Sequence, residues 1–284
     1  MVCVLIAHQW GWSEYASPEL YVVYYQFTNG QIQYYIANAD GSSPGVKLSW
    51  QGGGISKLDC SPDGRTFAFL TDTRHLYQMT SAGIVYDSAE DQMYTTVNVA
   101  DDGTTALFDP AAGKLLVNAR GIDLSEPNQS NHDLDRIDIS AQGLLLWTRD
   151  FNDIQVVSLA TGQVVPYVSH GYSGQWFASG QIFVFADQVT DSEGVGLSGG
   201  QYIMDMATQK VLRIGDWTLS SPLSPDATEV AVASPITQYN HIAQIVVYPL
   251  LGQGHSQMLT HDSHTASQPV CFLTFRPQML IAGG

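Results

Sequence analysis

An all-β fold made of a repeated four-stranded unit is what the amino-acid sequence predicts, and three observations predict it. No stretch keeps apolar residues at helical spacing over several turns. In its place stand short runs rich in Val, Ile, Tyr, Phe and Thr, separated by Gly, Asn, Asp, Ser and Pro, the pattern of many short strands. These runs also return with a beat near forty residues, the self-similarity that marks a repeat architecture.

The strand runs fall at 20–27 (LYVVYYQF), 32–37 (IQYYIA), 66–70 (TFAFL), 154–159 (IQVVSL), 181–186 (QIFVFA), 229–234 (EVAVAS) and 243–248 (AQIVVY). The beat is clearest at 58–70, LDCSPDGRTFAFL: an apolar residue, a small residue, the polar turn Ser61-Pro62-Asp63-Gly64, then an alternating strand. Copies of this pattern anchor at Trp12, Cys60, Val99, Ile139, Phe177 and Leu223, at spacings of 48, 39, 40, 38 and 46 residues. A degenerate seventh copy, PVCFLTFRPQMLIAGG, ends the chain and anchors at Phe275. Late in several units two strands flank a small turn, as in VVSLATGQVVPYV, which brings each unit to about four strands. Four antiparallel strands per unit is the content of one propeller blade. The third unit shows no outer strand after FDPAAGKLLVN.

The expected fold is therefore a single β-propeller domain over residues 1–284. It has seven four-stranded blades, with six blades as the alternative count; unrelated hairpins in a sandwich are the competing arrangement. An open first or last blade would leave unpaired strand edges. MVCVLI at the N-terminus is expected to complete the seventh blade as its outer strand, placing Cys3 and Cys271 in one blade. Cys60 is expected to face a core as a small hydrophobe, and the three cysteines show neither metal spacing nor a disulfide framework.

CSPDGRTFAFL, LSPDATEVAVA and IQYYIANADGSSPGVKLSW resemble the TolB-type, WD-like propeller repeat, which also builds the propeller domains of prolyl-oligopeptidase and tricorn-like proteases. The resemblance extends over essentially the whole chain. It departs from the pattern where Ala227 replaces Gly and where Phe177–Gly180 shortens the turn. It implies a docking scaffold. The intact peptidase is not expected, since the residues after the last repeat hold no hydrolase domain.

Charge narrows the partners. The chain carries 11 Lys+Arg against 27 Asp+Glu, a net of −16, and a surface of that sign repels phosphate backbones and anionic lipid. Nucleic acid and membrane insertion are not expected, and a protein or peptide partner is. No signal peptide or membrane-length apolar run is present. A periplasmic or extracellular location is expected if a signal was removed, and a cytoplasmic one otherwise.

Motifs with catalytic associations lack their context. Gly196-Leu197-Ser198-Gly199-Gly200 fits G-x-S-x-G, and Gly194, Gly196 and Gly199 fit G-x-G-x-x-G. Both patterns need a helix to follow, and QYIMDM reads as a strand, so a hairpin is expected there. The acidic fragments NADGS, ADDG, DLDR and DFND lack the ligand alternation of a calcium loop and read as turns.

The blade-to-blade connections hold more. In an antiparallel four-stranded blade they all emerge on one rim, and five of the eight histidines fall in them: His8, His132, His170, His261 and His264. Trp10 and Trp217 fall there too, with Asp216 and Asp262. Loops on a rigid scaffold carry function, and aromatic anchors dominate interface energetics. Trp10, His170, Trp217, His261 and His264 are the expected binding residues, with no catalytic residue, metal or cofactor. The expected function is a non-enzymatic interaction module binding a protein or peptide on the connection face. The alternatives are a metal-assisted polysaccharide lyase or hydrolase at the channel mouth, and a propeller accessory to a peptidase on another chain.

Overall fold

Tight turns that pull antiparallel strands together give this chain its order. In the computed structural model, which describes residues 19–28, 30–51, 53–89, 94, 96–109, 114–117, 120–123, 136–140, 142–149, 153–161, 163–169, 171–176, 182–190, 196–215, 222–226, 228–237, 240–249, 256–260 and 266–280, the Ser-Pro-Asp-Gly stretch is such a turn. Ser61 Oγ donates to Asp63 Oδ1 at 2.6 Å and accepts the Thr66 amide at 3.0 Å, while the Gly64 amide donates to the Ser61 carbonyl at 2.8 Å. Gly64 takes φ +68°, a left-handed conformation that costs a residue with a Cβ. Gly103 and Gly143 repeat it, at φ +82° and +68°, closing on Ala100 and Ser140. Ser224 repeats the side-chain half, donating to Asp226 Oδ1 at 2.6 Å and accepting the Glu229 amide at 2.9 Å. The beat in the sequence is one turn, built several times.

These turns separate the strands of six antiparallel sheets among the described residues. The first sheet holds β1 (Tyr21–Thr28), β2 (Gln31–Asn38) and β3 (Val46–Lys47). The second holds β4 (Ile55–Cys60), β5 (Phe67–Thr71), β6 (His75–Thr80) and β7 (Gly83–Ala89), and the third β8 (Thr96–Val99), β9 (Thr105–Asp109), β10 (Lys114–Val117) and β11 (Arg120–Asp123). The fourth runs β12 (Arg136–Ile139), β13 (Leu144–Arg149), β14 (Asp153–Ser158) and β15 (Val164–Ser169). The fifth runs β16 (Gly171–Trp176), β17 (Ile182–Thr190), β18 (Gly196–Asp205) and β19 (Lys210–Gly215). The sixth has β20 (Glu229–Thr237), β21 (Asn240–Pro249) and β22 (Gln257–Met258), with a single Leu223–Val230 bridge at its inner side. The last strand, β23 (Ala266–Leu273), pairs with β1, so the first sheet reads β23-β1-β2-β3. The fold is an all-β propeller.

Two expectations are corrected here. The C-terminal unit is not the inner part of a separate seventh blade, since β23 is the inner strand of the sheet that β1 to β3 complete. Residues at 12–20 and the degenerate copy at 269–284 look like two beats, but the strands after the first and within the second belong to one sheet. The first and last described strands, β1 and β23, pair in one blade, and β23 is the strand that closes it. MVCVLI lies outside the described residues. The second correction concerns Cys60, which is buried but is bonded to Cys271 with a Cα–Cα distance of 5.9 Å. The third sheet also gains the outer strand that its sequence concealed, β11.

The core lies between sheets. Tyr21, Val23, Tyr34 and Ile36 of the first sheet pack against Leu58, Phe67, Phe69 and Met79 of the second. On the other face of the first sheet, Val22, Tyr24 and Ala37 pack against Ala231, Ile245 and Val247 of the sixth. Alternation along β1 thus sends successive side chains into two different cores. Both sides of the strand are buried.

Candidate functional site

Two regions gather chemistry: the axis of the propeller and the rim where the blades connect. At the axis, residues from five sheets and the Pro222–Leu223 stretch beside the sixth surround one cavity of about 360 Å³. It is walled by Lys57 to Cys60 of β4, Thr96 to Asn98 of β8, Asp138 of β12, Gly174 to Trp176 of β16, Pro222 and Leu223, and Gln268 to Phe272 of β23.

The two carboxylates in this wall are structural links between neighbouring inner strands. Asp59 Oδ2 accepts the Val99 amide at 3.2 Å and the Asn98 side-chain amide at 3.4 Å, joining β4 to β8. Asp138 Oδ2 accepts the Trp176 amide, joining β12 to β16, while its Oδ1 accepts the Ile139 amide at 2.8 Å. Charged acceptors make strong bonds to backbone donors. Between β23 and β4 the corresponding link is covalent, the Cys271–Cys60 disulfide. Each linked residue on the receiving strand (Val99, Trp176, Cys60) is the one next to or at the turn that leaves the axis.

A second cavity of about 440 Å³ lies between Gly41–Gly45 and Met258–Thr260. Tyr24 and Tyr35 stack along it at 5.5 Å with 14° between their planes. Burial, with Tyr35 beside it, pushes the Tyr24 hydroxyl up to about 12.

The connection rim also carries the turn between the second and third strand of each blade, because antiparallel strands alternate direction. Its described part is uneven. β17 and β18 span 9 and 10 residues, β20 and β21 likewise 9 and 10, and β1 and β2 8 each. The matching strands of the second, third and fourth sheets span only 4 to 6 residues. Three blades consecutive around the closure therefore have the longer hairpins. At the end of the β1–β2 hairpin Phe27 and Ile32 face each other across the ladder and stand 56% and 41% exposed. Behind them Tyr25 and Tyr34 meet edge to face at 6.2 Å, and Tyr25 donates to Gln268 Oε1.

Four of the five residues expected from the sequence fall, by position in the chain, between consecutive blades, whereas Trp10 precedes the second strand of its blade and so is not in a blade-to-blade connection. His170 stands between β15 and β16, Trp217 follows β19, His261 and His264 stand between β22 and β23, and Trp10 precedes β1. All five lie outside the described residues. Sequence reasoning passed over Phe27 and Ile32, although the Asn29-Gly30 pair between two apolar residues is a strong hairpin signal. It also passed over the Cys60–Cys271 pair, for which a separation of 211 residues leaves no local signal. Among the described residues no group of three or more His, Cys, Asp and Glu is placed to hold a metal ion. Ser198 of the G-x-S-x-G match lies within strand β18, opposite Gln188, with no helix after it.

No family model and no curated protein matches the chain. Solved structures do. A protein of unknown function from Bacteroides caccae is 12% identical, with 90% of this chain and 98% of that one covered at a TM-score of 0.53. The β-propeller domain of Cps50 (Swd1) from Myceliophteria thermophila is 11% identical, over 74% and 72% of the two chains, at 0.46. Kuenenia stuttgartiensis hydrazine synthase is 13% identical, over 77% and 70%, at 0.46. At these identities the likeness is one of fold.

Proposed function

We propose that this propeller is a non-enzymatic interaction module that docks a protein or peptide on its blade-connection face. The observation that carries the reading is the uneven rim, where three consecutive blades have longer hairpins and one of them exposes the Phe27–Ile32 pair. Exposed apolar side chains grouped on a rigid rim mark association surfaces. His170, Trp217, His261 and His264 fall in sequence between consecutive blades and, with Trp10, are proposed as its further contacts. With a net charge of −16, the chain favours a basic partner. The Ser61–Gly64 and Ser224–Ala227 turns support a TolB-type repeat as the origin of this scaffold.

The test is capture from an extract of the source cells with wild type and three variants. Wild type is expected to retain a partner that both Phe27→Ser/Ile32→Ser and Trp217→Ala/His264→Ala lose, each weakening binding by about tenfold or more. Arg65→Ala, in a turn on the opposite face, is expected to retain it. A partner held equally by all three variants sinks the connection-face reading.

A further inference from the structure

The outer strand of every blade presents a row of backbone donors and acceptors to its surroundings, and such an edge pairs with other chains unless it is guarded. Five of the six outer strands among the described residues are guarded by shortness, by Pro or by a cation. β3 and β22 are only 2 residues long, and β11 is 4 residues long and contains Arg120. β15 contains Pro166, which has no N–H, and β19 contains Lys210 and Arg213. The sixth, β7, is 7 residues long and contains no Lys, Arg or Pro; its protection is a bulge at Val85 and the acidic Asp87, which leave Tyr86–Ala89 as a regular edge open to a strand of opposite charge.

β7 is also apolar where it is exposed. Ile84, Val85 and Tyr86 are 37%, 57% and 41% accessible, three of the seven large apolar side chains exposed among the described residues. Their exposure has a backbone cause. Tyr86 pairs with Gln78 and Ile84 with Met79, so Val85 is a bulge, the alternation breaks, and three successive side chains stand exposed. Beyond the bulge Tyr86 to Ala89 pair in regular register with His75 to Gln78. Among the described residues no strand lies outside β7.

We propose that β7 is a strand-addition site, distinct from the connection face, that takes an extended basic segment of another protein. The incoming strand pairs with the outer edge of Tyr86–Ala89 and covers Ile84, Val85 and Tyr86 with its own β-branched or aromatic residues. Charge decides the occupant. Asp87 lies on β7 with its side chain 55% exposed and the imidazole of His75 beside it, at 3.2 Å; the strand holds no cation, and the whole chain is at −16. A second copy would bring two such charges together; a strand alternating apolar residues with Lys or Arg would not.

The probe is an amidated eight-residue peptide of alternating Val and Lys, with the Val–Glu peptide as its counterpart, read by hydrogen–deuterium exchange on the full chain. The Val–Lys peptide is expected to slow exchange of amides in 86–89 by about tenfold or more, and the Val–Glu peptide to leave them unchanged. Val85→Lys is expected to abolish the slowing, while Val211→Lys on the outer strand β19 preserves it. The proposal is overturned if the Val–Lys peptide slows no amide in β7, if both peptides act alike, or if Val85→Lys has no effect. A concentration-dependent dimer that Val85→Lys dissolves would overturn the choice of occupant in favour of a second copy.

Discussion

Asp138 shows how single side chains hold the inner ring of this propeller. It is 8% exposed and its carboxylate takes two backbone amides, one from its own strand and one from the next blade. Replacing it by Ala leaves the Trp176 amide without that acceptor, and Asp138→Ala is expected to lower unfolding free energy by about 2–3 kcal/mol in a urea titration. An unchanged midpoint would mean that the link contributes nothing. Glu229 works in the opposite direction. Burial, followed by the nearby charges of Asp226 and Asp40, raises its carboxyl above the usual range, and its Oε2 is buried without a hydrogen bond. A carboxyl raised in the folded state favours folding at low pH, where it is protonated in both states, and that advantage is lost as pH rises through the folded value. Glu229→Gln is therefore expected to raise Tm at pH 7 and to leave it unchanged near pH 3. Equal shifts at both pH values would assign the effect to packing rather than charge.

At the scale of the element, the turns that leave the axis are more demanding than their sequences suggest. Gly64 combines φ +68° with close quarters: a Cβ there would lie 3.1 Å from the Phe272 carbonyl and 3.0 Å from Pro225. Its carbonyl accepts both the amide and the hydroxyl of Thr274, at 2.9 and 3.1 Å, so the turn of the second blade also fixes the end of β23. Gly30, at φ +77° in the β1–β2 turn, has open space around it. Gly30→Ala meets only the left-handed backbone penalty of about 1–2 kcal/mol. Gly64→Ala meets that penalty and displaces Thr274 as well, so it is expected to destabilise more than Gly30→Ala in the same thermal melt. Equal losses would show that the turn is not packed against the closing strand.

The whole molecule depends on how its two ends are joined. β23 is separated in sequence from β1 by most of the chain, yet the two share a ladder, and a propeller without this strand exposes the edge of β1. The Cys60–Cys271 disulfide ties the same strand to the second blade and closes a loop of 211 residues. A cross-link over so long a loop restricts the unfolded chain strongly. Thiol titration of the denatured, unreduced protein is expected to find one reactive cysteine, Cys3, and three after reduction. Cys60→Ser is expected to cost about 2–5 kcal/mol of stability. Three reactive thiols before reduction would remove the covalent link from the account of closure.

How much of this was legible in the sequence follows from the range of each interaction. The strands at Tyr21–Thr28, Ile182–Thr190 and Glu229–Thr237 and the turns at Ser61 and Ser224 are set by residues within a few positions of one another, and alternation and turn chemistry announce them. The repeat of those local signals was enough to give the fold class. Pairing across the chain left no such trace. β23 joins β1 and Cys271 meets Cys60 because the ring closes, and Asp138 reaches Trp176 because consecutive blades pack side by side; both are decided by the sum of the sheet-to-sheet packings rather than by any one stretch. The exposed edge of β7 has the same origin: GIVYDSA reads as an ordinary strand, and only its outermost place in the second sheet, with a bulge at Val85, turns its apolar residues outward.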